Sequence, residues 1–277
     1  MWAIVAVGCA AHPTVRTGLP DRFVLVRHQL LIHSDFPLPE HHRLIEDLCA
    51  QRADMANRLA LPASDEPIHI YVFDTPERFE NFMRYHHPDF PRRRAFFVET
   101  DTRLIVYAQW GDKVGDDLRH EVAHAYLHAT VRNIPLWLDE GLAEYYECHP
   151  SRCGLNVEHL ERLTELLRGG RWRPDLERLE AITPPLDMDR DQYAEAWAWT
   201  YFLLRSDPAN LELLRSYLAD IRRGGQSAHL FSCYRDDRKD QTRRKAHLPG
   251  DIQEEVEGGF IEFGQDDQEI HIGVIRR

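Results

Sequence analysis

His120-Glu121-Val122-Ala123-His124 is the segment of this chain best equipped for chemistry. On a helix, residues four apart share a face and lie about 6 Å apart along the axis, so both imidazoles can reach one ion. Glu121 stands beside them and can hold a water on the same ion, which is why metal-assisted hydrolysis uses H-E-x-x-H on a helix. Val122, Ala123, Ala125, Tyr126, Leu127 and Ala129 suit a helix, and no Pro or Gly interrupts them. The pattern alone is only moderately specific. A catalytic tetrahedral site also needs a third protein ligand and one open position. His128 fails in that role, because it lies roughly 12 Å of rise from His120 and three such histidines cannot converge.

A better third ligand lies in the stretch from Pro135 to Tyr146. Trp137, Leu138, Leu142 and a tyrosine form the apolar stripe of a second helix, and Glu140 projects from another face. Gly141 and Ala143 would let this helix approach the first one closely. A buried carboxylate is costly without a partner, and a nearby dication removes that cost. Glu144, one turn later, is placed to accept the outer N–H of a ligand histidine.

His120 and His124 followed by Trp137-Leu138-x-Glu140-Gly141-x-Ala143-Glu144-Tyr145 resemble the active-site helix pair of the gluzincins, the clan of thermolysin and the M1 aminopeptidases. The small bacterial peptidase-MA-like domains are similar in their order of strands, helix, hairpin and H-E-x-x-H helix over residues 21–222. The resemblance implies a zincin-like fold, one Zn2+ held by His120, His124 and Glu140, and Glu121 as general base in peptide-bond hydrolysis. Gln192-Tyr193-Ala194-Glu195 resembles the tyrosine-bearing helix of the aminopeptidase-like members, which implies Tyr193 as a donor to the oxyanion. The metzincin pattern does not fit, since it wants Gly and His where Leu127 and Thr130 stand. A non-catalytic zinc-stabilised interaction module on the same fold is the alternative reading, and a vestigial metal site is a third.

The elements that must position these residues are legible upstream and downstream. Residues 22–33 read as one or two strands, 40–59 as an amphipathic helix, and 68–73 as a half-buried strand. Thr75-Pro76-Glu77 starts a helix whose apolar face is Phe79, Phe82 and Met83. Residues 95–99 and 103–108 form a hairpin. Beyond Gly115 the spacing predicts helices over 116–130, 136–148, 156–168, 190–205 and 208–223. Strands followed by helices make an α+β pattern: a small β-sheet packed on the H-E-x-x-H helix, then a mainly helical lobe. Gly224-Gly225 marks a boundary, so the chain divides into 1–20, a domain over 21–223, and a charged extension over 224–277. Residues 260–263 and 269–275 of that extension could pair as a small hairpin.

Net charge is −12, from 46 acidic and 34 basic residues, which argues against nucleic acid as a partner. No apolar run is long enough to span a membrane. Met1 to Ala10 is a short apolar run that resembles the end of a bacterial lipoprotein signal, which would lipidate Cys9 and attach the protein to a membrane. It lacks a basic start and is short, as a start codon placed too far downstream would leave it; a disordered or core-packing terminus is the other reading. On this ground an extracytoplasmic, lipid-anchored location is favoured over a cytoplasmic one. Cys49, Cys148, Cys153 and Cys233 would then be an even set suited to disulfides, with free thiols as the alternative. The partner implied throughout is a peptide or protein substrate.

Overall fold

The computed structural model describes residues 17–183 and 187–224, Leu230, and the backbone of 261–266 and 269–274. The readings on Cys9, Cys233 and most of the charged extension lie outside these residues. Five strands form one mixed sheet: β1 (Phe23–Arg27), β2 (Leu30–Ser34), β3 (Ile68–Phe73), β4 (Ala95–Thr100) and β5 (Arg103–Gln109). Their order is β1-β2-β3-β5-β4. The two inner pairings are parallel and the two outer ones antiparallel. Each parallel step needs a crossover. The first is α1 (Arg43–Arg58), and the second contains α2 (Pro76–His86).

Alternation along β3 explains why it reads as nearly continuous apolar sequence. Ile70 and Val72 face one side with Ile45, Leu48 and Met55 of α1 and with Leu118 and Val122 of α3 (Val114–His128). Tyr71 and Phe73 face the other side with Phe79, Phe82 and Met83 of α2. Both faces of the strand are covered. Thr75 caps α2 and Pro76 occupies its first turn, as the sequence predicts.

The helical lobe follows, as α4 (Leu136–Glu147), α5 (Val157–Arg168), α6 (Leu176–Glu180), α7 (Arg190–Arg205) and α8 (Pro208–Arg222). The fold is α+β. A 3-10 turn at Pro150–Arg152 and the five-residue α6 are additions, too short to show a helical period. In the C-terminal extension β6 (Ile261–Asp266) and β7 (Glu269–Val274) pair antiparallel as a separate hairpin. No helix of the described residues is long and apolar enough to cross a membrane. Cys49, Cys148 and Cys153 are free thiols.

The centre of the lobe is α7, buried without a break from Ala194 to Thr200. α4 packs against both α3 and α7. The close approach that Gly141 permits is to α7 and not, as the sequence suggests, to the H-E-x-x-H helix. A Cβ on Gly141 would stand 2.5 Å from the Ala196 carbonyl oxygen and 2.4 Å from Thr200 Oγ1. Helix propensity alone favours Ala over Gly by about 1 kcal/mol. Here the clash with backbone wins, and Gly141→Ala is expected to lower stability by about 1–3 kcal/mol in urea denaturation. Gly115→Ala is the control. Its Cβ meets nothing closer than 3.4 Å, so its stability should stay level or rise by up to about 1 kcal/mol.

Candidate metal centre

His120 and His124 stand on the face of α3 turned towards α4, with their Nε2 atoms 3.2 Å apart. Glu140 of α4 brings Oε2 to 3.7 Å from His120 Nε2 and 3.6 Å from His124 Nε2. Tetrahedral zinc with metal–ligand distances of 2.0–2.1 Å spaces its donor atoms by about 3.3–3.4 Å. The three donors fall close to that triangle. Glu140 Oε2 is moreover buried and accepts no hydrogen bond from the protein. Two imidazole nitrogens and an orphaned carboxylate oxygen are a donor set that fits zinc. The helix pair is held by Arg119, buried in α3, which donates to the carbonyl of Glu147 at the end of α4 at 2.8 Å.

The outer nitrogens of both imidazoles have acidic partners. His120 Nδ1 bonds Glu147 Oε2 at 3.1 Å. His124 Nδ1 lies 3.0 Å from Asp139 Oδ1, an electrostatic contact whose angles fall short of a regular hydrogen bond. Asp139 Oδ2 reaches His128 Nε2 at 3.0 Å, and His128 Nδ1 reaches Glu99 of β4 at 2.6 Å. These contacts set the charges. Burial opposes charge on His120, but the facing Glu140 carboxylate and the bond to Glu147 raise its pKa well above the usual histidine range. Burial likewise opposes charge on His128, and Asp139 and Glu99 together push its pKa up to about 9. Asp139 is buried, yet the facing histidines hold its carboxyl well below the ordinary range.

The sequence reading gave the outer N–H to Glu144, and the structure places that residue elsewhere. Glu144 Oε2 accepts from His159 Nε2 at 2.8 Å and from Asn156 at 3.3 Å, so it ties α4 to the start of α5. Glu144 stays near His120, in a second acidic grouping with Glu147. The rotation of α4 turns Asp139 and Glu147 to the imidazole edges instead. Asp139 and Glu147 went unread. The only sequence trace of Glu147 is the spacing of Glu140, Glu144 and Glu147, which puts three acids on one helical face.

Glu121 Oε2 accepts the backbone N–H of Phe97 at 2.6 Å, on the outer edge of β4. The Phe97 ring stacks beside His124 at 6.0 Å between centroids. Tyr193 is half-buried at the start of α7, beyond the capping box of Asp189 and Gln192. Burial and the nearby Glu140 carboxylate push its phenol up to about 12, against the pull of the Arg93 guanidinium. Arg93 is a further residue that the sequence reading missed.

A family described as protein of unknown function (DUF1570) matches residues 116–223. That stretch contains His120, Glu121, His124, Glu140, Glu144 and Tyr193, and leaves out the sheet. Among curated proteins, none matches. Partners on the outer nitrogens of metal ligands typically matter 10- to 100-fold in affinity. Glu147→Gln and Asp139→Asn are therefore each expected to weaken zinc binding by about 10- to 100-fold in chelator competition, with Glu144→Gln changing it much less. Equal effects of all three would show that overall negative charge, not orientation of the rings, governs the site.

Proposed function

We propose that this chain is a zinc-dependent peptide hydrolase of gluzincin type on a zincin-like fold. The observation that carries the reading is the convergence of His120 Nε2, His124 Nε2 and the unpartnered Glu140 Oε2. A zinc ion on these three atoms would polarise the scissile carbonyl and acidify water. Glu121 is the general base: Oε2 is anchored by the Phe97 amide, and Oε1 takes the proton of the attacking water and passes it to the leaving amine. Tyr193 keeps its proton, with a pKa pushed up to about 12 by burial and Glu140, and donates to the developing oxyanion.

The substrate is an extended peptide beside β4, an edge strand of the sheet. One of its outward donors, the Phe97 N–H, is already engaged by Glu121. By the alternation of an antiparallel ladder, Ala95 and Glu99 turn their backbone groups the same way and are the ones open to a peptide.

The same Phe97 contact favours a second reading. It gives Glu121 a structural task, pinning the sheet edge to α3, and a zinc-stabilised module without turnover would need no more. Zinc-loaded wild-type protein and Glu121→Gln, incubated with a mixed peptide library and read by mass spectrometry, separate the two. Under the hydrolase reading the variant retains zinc and cleaves about 10²- to 10⁴-fold more slowly. Loss of zinc from the variant, or undiminished cleavage, would remove Glu121 from the role of base. No cleavage by zinc-loaded wild type favours the module.

A further inference from the structure

A cavity of about 270 Å³ lies among α1, the turn after β1, the loop before β3 and the end of α3. It is separate from the metal centre. Tyr126 in its wall stands two residues past His124, about 200° round the helix, and bonds the Leu48 carbonyl of α1 at 3.1 Å. The sequence of α1 explains the space. Cys49, Arg52, Ala53 and Ala56 fall at i, i+3, i+4 and i+7, so they share one helical face. Three of the four are small. Leu61 and Pro62 of the following loop add apolar surface to the lining.

The guanidinium in this lining is Arg52, and all its partners are neutral. Nε donates to Gln29 Oε1 at 2.6 Å and Nη2 donates to the Ser64 carbonyl at 2.9 Å. These bonds tie the turn after β1 to the loop before β3, and they use one edge of the planar fork. Nη1 bonds nothing among the described residues. Guanidinium carries five N–H donors, so the edge made by Nη1 and the second N–H of Nη2 remains for a carboxylate. No carboxylate of the described residues takes it. Arg58, further along the same helix, is held by both oxygens of Asp54, whereas Arg52 forms no ion pair.

An uncompensated cation beside a largely apolar cavity is matched by an anion with an apolar body. Volume sets the size of that body. A cavity of about 150 Å³ already holds benzene, so this one has room for about six to eight carbon atoms. We infer that the cavity is a binding site for a medium-chain aliphatic carboxylate, held by the free edge of Arg52 with its chain against Ala53, Ala56 and Leu61. The inference is independent of the hydrolase reading.

Cys49 supplies a reporter inside the site, which matters because a carboxylate can also reach a zinc ion. Alkylation of Cys49 by N-ethylmaleimide is followed by peptide mass spectrometry on the zinc-loaded full chain, with exposed Cys153 as the internal control. The probes are hexanoate, hexanamide and acetate, and the concentration giving half-protection is the Kd at this cavity. Hexanoate at about ten times that concentration should slow Cys49 about 10-fold and leave Cys153 unchanged. Hexanoate should protect at about 10- to 100-fold lower concentration than hexanamide, as a charged hydrogen-bonded pair implies. A similar factor should separate it from acetate, since each buried CH2 adds to affinity.

Arg52→Gln should bring the ratio of hexanoate to hexanamide close to one. Arg52→Lys keeps the charge without the fork, should retain part of the preference, and replaces the Gln variant if that fails to fold. Ala56→Cys places a second reporter on the same wall if Cys49 reacts too slowly. The inference is overturned by absence of protection, or by equal protection from hexanamide or acetate. A preference that survives Arg52→Gln overturns it too, as does equal slowing of Cys153, which would reveal a general effect on the reagent or the fold.

Discussion

How deeply α4 can sit between α3 and α7 decides where Glu140 stands. Residues 140 and 141 point about 100° apart on the helix, so one faces the imidazoles while the other faces α7. At 141 there is no side chain, and the Ala196 carbonyl occupies the space that a Cβ would need. With α7 buried along its central two turns, that contact is a stop and not a cushion. The distances of 3.6 and 3.7 Å from Glu140 to the two Nε2 atoms follow from it.

The second constraint is charge. Glu99, Glu121, Asp139, Glu140, Glu144 and Glu147 crowd one region, in a chain that is already negative. Unpaired and buried, carboxylates of this density would cost several kcal/mol each. The histidines answer most of them: His159 takes Glu144, His128 bridges Asp139 and Glu99, and His120 takes Glu147. Glu140 Oε2 is left out of this pairing. An arrangement that gives Glu144, Asp139 and Glu147 close histidine partners and leaves this buried oxygen 3.6 Å or more from its own is the expected form of a cation site.

The part of this that could be read from sequence is the part determined by local periodicity. The strands, the Thr75-Pro76 helix start, the 95–108 hairpin and the convergence of His120 with His124 all depend on residues close together in the chain. Glu140 was readable because polar residues on an otherwise apolar helix need a reason. The partners of the outer nitrogens were not. Glu144 is one turn from Glu140 and Glu147 is two, and only the rotation of α4 about its axis decides which meets His120. That rotation is fixed by Gly141 against Ala196, across more than fifty residues of chain. The same holds for Arg93 and Tyr193, which approach from opposite ends of the domain and share no sequence pattern.

β4 is therefore more than the border of the sheet. Through Phe97 it holds Glu121, and through Glu99 it ends the chain of contacts that begins at His124. The candidate ligands and Tyr193 all fall within residues 116–223, the stretch that the family of unknown function matches, whereas these two contacts come from outside it. Such a division separates two demands. The donor triangle tolerates little change, because metal geometry is fixed by bond lengths common to every zinc site. A strand edge has no such requirement on its side chains, since its backbone can align a peptide while the side chains choose among peptides. Under the hydrolase reading, substitution along β4 would alter what is recognised without disturbing the atoms that would hold the ion.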